Sequence, residues 1–411
     1  MIKRFFSHFL KKAEWAILGA VFSCVGCGSG SDPWNGGIIK SEILKMIPLS
    51  DFQDPGESPK YVVGEGTFRS LRNLDTLSGD FFQLREGGIV HTKSIEGSIV
   101  ESSEGFVGGK KPSLRYHVEN QVAIPDDIET LTKLSVYYQY EQIAAHLEEF
   151  TGIPMKDIVD QRGIIRIIFH PEIHFESDAS FAKTLQKMNA AFVPEYFQFL
   201  IFPPSRMESV PLSSNLQVLA HESGHMIFQH VLGESGDKKT SGNSLLDHSV
   251  MRGLNEGFAD FMSYTFTGST DVLGTSLRDL PSAVKKRNFS RVSFDYASRA
   301  QCGESFYCWG TVFAKALYKA QLQARGSSHS RSDRAAFFRH FVEGLRGAKV
   351  MLDADPDVQR FKVSHTALST EQVFGVFFRA LVVNLDPSVR ALVRNELMDQ
   401  FGVKGFPYAY R

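Results

Sequence analysis

Leu216–Val231 reads LQVLAHESGHMIFQHV, and its pattern decides how the rest of the chain is interpreted. Apolar Leu216, Val218, Leu219 and Ala220 lead into it, and Met226, Ile227, Phe228 and Val231 lead out, which predicts a helix bound for the core. His221 and His225 are one helical turn apart on the same face, where both imidazoles can ligate one metal ion. Glu222 is rotated off that line. Its carboxylate can reach a metal-bound water without being a ligand, as a general base must. Two histidines and a glutamate can fall on a helix by chance, but unpartnered polar groups are costly in an apolar setting, and ligating a metal satisfies them. Zinc suits a set of nitrogen and carboxylate ligands that leaves one position open.

A second helix-like run, Leu254–Thr265 (LNEGFADFMSYT), supplies a candidate third ligand, Glu256. Asp260 lies four residues later on the same face, placed to accept a hydrogen bond from the non-ligating nitrogen of a zinc histidine. Alone, these two acids would read as a solvated helix face. Beside the His-Glu-x-x-His element they read as part of a metal site.

With HESGH at 221–225 and NEGFAD at 255–260, the chain resembles the gluzincin metallopeptidases, in particular the thermolysin-like and fungalysin-like families. The resemblance covers roughly residues 130–320. It implies that His221, His225 and Glu256 hold Zn2+, that Glu222 is the base, and that Asp260 supports a ligand. It also implies a peptide or protein substrate and an α+β, two-lobed zincin fold, with the metal helix between a β-containing lobe and a mainly helical one. Asn189-Ala190-Ala191-Phe192, followed by the apolar run Phe197–Phe202, is similar to the family's edge strand, so Asn189 and Ala190 are the expected substrate-binding residues, acting by strand addition.

The chain departs from the family in two places. Around Glu304–Gly310 no histidine stands where the family stabilises the oxyanion; Tyr307, Tyr296 or His248 would have to donate instead. Position 217 is Gln where thermolysin-like enzymes carry a calcium-binding aspartate, so zinc is the only metal expected. No GxMEN-type motif is present to hold a free amino terminus, which disfavours an aminopeptidase. The missing oxyanion histidine keeps open a reading from another class, a catalytically inactive zinc-binding lipoprotein serving in binding or assembly.

Residues 1–27 begin with Lys3, Arg4, Lys11 and Lys12 and continue in an apolar stretch from Trp15 to Phe22, too short to span a bilayer. This reads as an export signal. VGC ending at Cys27 approximates a bacterial lipobox, with FSC ending at Cys24 as the alternative site, and an ordinary signal peptide or short tethering helix as the competing reading. The expected location is therefore the cell envelope, with membrane attachment through a lipid on Cys27. The formal charge of −1, from 45 basic and 46 acidic residues without long runs of either sign, gives no reason to expect a nucleic-acid partner. The remaining cysteines, Cys302 and Cys308, favour a small disulfide loop over two free thiols in an exported protein.

Residues 28–125 are rich in Gly, Ser and short β-like segments such as Tyr61–Val63, Gly88–Lys93 and Ser98–Ser102. They form a β-rich region that is either propeptide-like or an extension of the catalytic sheet. The catalytic domain is expected over 126–411. It contains a helix over Asp127–Phe150, a strand over Ile164–Phe169, a polar loop over Gly233–Ser244, and helices over Ser305–Gln321, Asp333–Leu345, Thr370–Val383 and Pro387–Phe401. His170 and His174, after the strand, read as surface histidines more readily than as a metal pair.

Overall fold

The computed structural model describes residues 38–47, 60–95, 98–175, 190–194, 196–203, 211–233, 249–272, 288–290, 306–324, 330–356, 358 and 370–401. The chain divides into two compact units, Met1–Ile38 and Ile39–Arg411, and the fold below is that of the second. The leader, with Cys24 and Cys27, lies outside the described residues. No described helix is long and apolar enough to cross a membrane.

Nine strands come first: β1 (Lys40–Ile47), β2 (Lys60–Thr67), β3 (Leu71–Asn73), β4 (Ser78–Gly79), β5 (Phe82–Glu86), β6 (Ile89–Ile95), β7 (Ser98–Val107), β8 (Tyr116–Glu119) and β9 (Val122–Pro125). Then come α1 (Ile128–Thr151), α2 (Met155–Arg162), β10 (Ile165–Phe169), β11 (Glu172–Phe175), β12 (Ala190–Val193) and β13 (Gln198–Ile201). The rest is helical: α3 (Leu216–Leu232), α4 (Ser249–Thr267), α5 (Phe306–Ala324), α6 (Arg331–Ala354), α7 (Thr370–Asn384) and α8 (Pro387–Phe401). The protein is thus α+β, with a β-rich first part and a helical last part.

The strands form three sheets, ordered β2-β1-β9-β8, β12-β13-β10-β5-β4-β3 and β11-β6-β7. In the six-stranded sheet β5, β10 and β13 run parallel, and β12 closes one edge antiparallel to β13. Strand β5 is bonded to β4 on one side and β10 on the other, so residues before and after position 125 share one sheet. Pairing between β5 and β10 joins segments about eighty residues apart, and periodicity within either segment carries no sign of it. His170, expected at the surface, is only partly exposed, with φ at 54° and its ring stacked on Phe169.

Helix α1 packs its aromatic face onto the six-stranded sheet. Asp127 caps its start by accepting from the Thr130 N–H, and Gly152, at φ 68°, ends it in the left-handed region. Tyr137 and Tyr140 are fully buried; Tyr140 lies 4.4 Å from Phe199 and 5.6 Å from Phe82, ring to ring. Buried Glu141 is satisfied by the backbone N–H groups of Arg69 and Ser70 and by the Ser70 hydroxyl, which ties the segment before β3 to the helix.

In the helical part, three helices approach closely because glycines stand at their crossings. A Cβ on Gly224 of α3 would stand 2.5 Å from the Cα of Ala259 on α4, and one on Gly257 would stand 2.3 Å from the carbonyl oxygen of Gly310 on α5. The opposite face of α4 is held by α6, where Phe258 and Phe261 pack against Phe338. Buried Arg334 of α6 donates to the carbonyl of Thr265, and Lys349 reaches the carbonyl of Leu232, so α6 places a cation at the C-terminal end of both α3 and α4.

This packing predicts the effect of one methyl group. Gly224→Ala forces α3 and α4 apart and costs about 1–3 kcal/mol, measurable as a lower denaturant midpoint with an unchanged slope.

Candidate metal centre

Asn215 opens α3 by accepting the Gln217 N–H, and the apolar residues around the histidines turn into the core. His221 and Glu222 are 5% and 6% exposed, so neither can rely on bulk water for its hydrogen bonds. The Nε2 atoms of His221 and His225 face each other at 3.0 Å. Helix α4 brings Glu256 to them, with its two carboxylate oxygens 3.5 Å from His221 Nε2 and 3.7 Å from His225 Nε2. Donor atoms bound at about 2.0–2.1 Å to one tetrahedral ion stand about 3.3 Å apart, which the three separations bracket.

The far side of each imidazole is also held by α4. Oδ1 of Asp260 lies 2.9 Å from Nδ1 of His221, and Oδ1 of Asn255 lies 2.9 Å from Nδ1 of His225. Both oxygens are acceptors, and an Nδ1 proton facing each of them leaves the Nε2 lone pair turned to the shared point. Two such lone pairs and a carboxylate repel one another unless a cation lies among them. His221, His225 and Glu256 are the one group of this kind among the described residues, and they are able to hold a metal ion.

Glu222 points elsewhere. Its Oε2 accepts the backbone N–H of Phe192 on β12 at 2.8 Å. That strand pairs with β13 with Phe192 opposite Phe199 and Ala190 opposite Ile201, and among the described residues it ends the sheet. Backbone groups alternate in direction along an antiparallel strand, so Ala190 and Phe192 turn theirs to the side of Glu222, away from β13. Burial, and then the negative charge of Glu222, push the Tyr140 phenol well above its ordinary pKa, placing the carboxylate within electrostatic reach of the α1 core.

The remaining expected residues are distributed as follows. Ala190 is buried on the edge strand, while Asn189 lies outside the described residues. Tyr307 is 40% exposed on α5, one turn before Gly310. Gly310 is where α5 meets Glu256: a Cβ there would stand 2.7 Å from the Cβ of Glu256. Cys308, between them, is disulfide-bonded. Cys302, Tyr296 and His248 lie outside the described residues. Gln217 is buried and donates to the carbonyl of Asp271, while its own carbonyl accepts from Ser263. Sequence reasoning missed Asn255 and Gly310. Asn255 immediately precedes Glu256, so its type and position were visible; the glycine contact depends on the crossing of two helices and was not.

No family model matches the chain, and no curated protein matches it. Among solved structures it is similar to the precursor of protealysin, a metalloproteinase from Serratia proteamaculans, at 12% identity and a TM-score of 0.38, covering 75% of this chain and 85% of that one.

The geometry predicts that Asp260→Ala and Asn255→Ala each weaken metal retention by roughly 10–100-fold while leaving all three ligands in place. Competition with a chromophoric chelator measures this, and unchanged affinity in both variants would contradict the assigned roles.

Proposed function

We propose that the protein is a zinc-dependent peptidase in which His221, His225 and Glu256 hold the metal and Glu222 is the general base. The observation that carries this reading is the division of labour on α3: two imidazoles converge with Glu256, while the neighbouring carboxylate is turned aside and anchored on a sheet edge. When bound, zinc supplies a Lewis acid for the scissile carbonyl and acidifies the attacking water.

The chain's own groups account for the rest. An extended peptide aligns along the free side of β12, pairing with the backbone groups of Ala190 and with the Phe192 carbonyl, and Asn189 adds its side chain. Such pairing gives affinity that tolerates many sequences. The Phe192 N–H fixes Oε2 of Glu222, leaving Oε1 to take the proton from the attacking water and deliver it to the leaving amine nitrogen. Tyr307, exposed one turn from the contact with Glu256, donates its phenolic hydrogen to the developing oxyanion in place of the absent histidine. The leader over residues 1–27 exports the chain, and a lipid on Cys27 holds it at the cell envelope, where protein or peptide substrates are met.

Glu222→Gln is expected to keep its zinc and to lose about 10²–10⁴-fold in kcat/KM on a mixed-sequence peptide library, whereas His225→Ala loses metal and hydrolysis together. Full activity in Glu222→Gln would refute the proposal. Tyr307→Phe should lower kcat by roughly 10²–10³-fold with KM little changed; a change confined to KM would make Tyr307 a substrate contact instead.

A further inference from the structure

The N-terminal cap of the metal helix is completed by a strand from the beginning of the fold. Leu216 is the first residue of α3, and its N–H is one of the donors that a helix start leaves without an intrahelical partner. It donates to the hydroxyl of Tyr61 on β2 at 3.1 Å, and that hydroxyl donates in turn to Oδ1 of Asn215 at 2.8 Å. The same Oδ1 accepts the Gln217 N–H at 3.0 Å. One hydroxyl and one side-chain amide thus form a two-residue cap, with its members 154 positions apart.

A second tie runs beside it. Gln139 of α1 is buried, and its Nε2 donates both to the carbonyl of Leu44 on β1 and to the carbonyl of Ser214, one residue before the cap. The Leu44 N–H is taken by the Ser135 hydroxyl. Tyr61 pairs with Met46 in the β1–β2 ladder, so the two ties reach α3 from one antiparallel pair. Burial raises the Tyr61 phenol well above its ordinary pKa, so it keeps its proton and stays a donor at neutral pH.

We propose that the β1–β2 pair is a permanent part of the metal centre and that Tyr61 is a positioning residue, setting the start of α3 and so the placement of His221 five residues on. Removal of such a segment would free the start of the ligand-bearing helix, so β1 and β2 are retained in the metal-loaded protein. The inference rests on His221 and His225 being metal ligands and does not require that peptides be hydrolysed.

The test compares the full chain with Tyr61→Phe and Ser70→Ala. Ser70 is buried outside the β1–β2 pair and its hydroxyl donates to Glu141, so its loss weakens the fold without touching the cap. Zinc affinity by chelator competition, hydrogen exchange over Leu216–His225, and the N-terminus of the metal-loaded protein isolated from its host are measured. Tyr61→Phe is expected to weaken zinc about tenfold and to speed exchange of the first turn of α3 by a similar factor. Ser70→Ala, even at an equal loss of thermal stability, leaves both unchanged. Wild-type affinity and exchange in Tyr61→Phe, or a metal-loaded mature form beginning after Thr67, would overturn the inference. If the wild-type chain binds no zinc, the ligand reading fails, and the exchange comparison still decides whether Tyr61 holds the helix.

Discussion

Two imidazole Nε2 atoms and a carboxylate converge on one point where a metal ion could be held, and the fold around them keeps them there. The Nε2 atoms stand 3.0 Å apart, with Asp260 and Asn255 beside the opposite nitrogens. Asn255, Glu256 and Asp260 lie within six residues of α4, so one helix supplies the carboxylate and orients both rings. A rigid relation between α3 and α4 is therefore the condition for the site. Glycines at the crossings, an aromatic seam against α6, and cations at the two C-terminal ends all serve it. A metal bound there would draw on the packing of α3 against α4, so metal binding and helix packing would act on the same equilibrium.

The six-stranded sheet enters the site through its last strand. The N–H of Phe192 on β12 holds Glu222 of α3, so the proposed base is fixed by the strand whose backbone groups would align a peptide. The aromatic packing of Tyr140, Phe199 and Phe192 runs from α1 through the sheet to that strand, so the long helix supports the strand that holds Glu222, as α4 supports the two imidazoles.

What was legible in the sequence was what lies on single helices. The four-residue spacing of His221 and His225, the off-line Glu222, and Glu256 with Asp260 four residues on are properties of one helical period, and the structure brings them together with the expected faces. Helix positions followed the apolar pattern, end to end at Pro387–Phe401, whereas α6, expected over Asp333–Leu345, runs on to Ala354. Features built by long-range pairing were not legible. Strand β5 carries no mark that it will lie beside β10, and Tyr61 gives no sign that its hydroxyl caps a helix 154 residues away. Gly224, Gly257 and Gly310 look alike in the sequence, and only the crossing of α3, α4 and α5 shows why a side chain is excluded at each.

The central claim is that His221, His225 and Glu256 share one ion. X-ray absorption at the zinc edge on purified, zinc-titrated protein tests it directly. The account predicts one zinc per chain, with two imidazole nitrogens at about 2.0–2.1 Å, carboxylate and water oxygen in the remaining positions, and no sulfur. Failure to retain zinc, or a shell that keeps both imidazoles after His225→Ala, would contradict it.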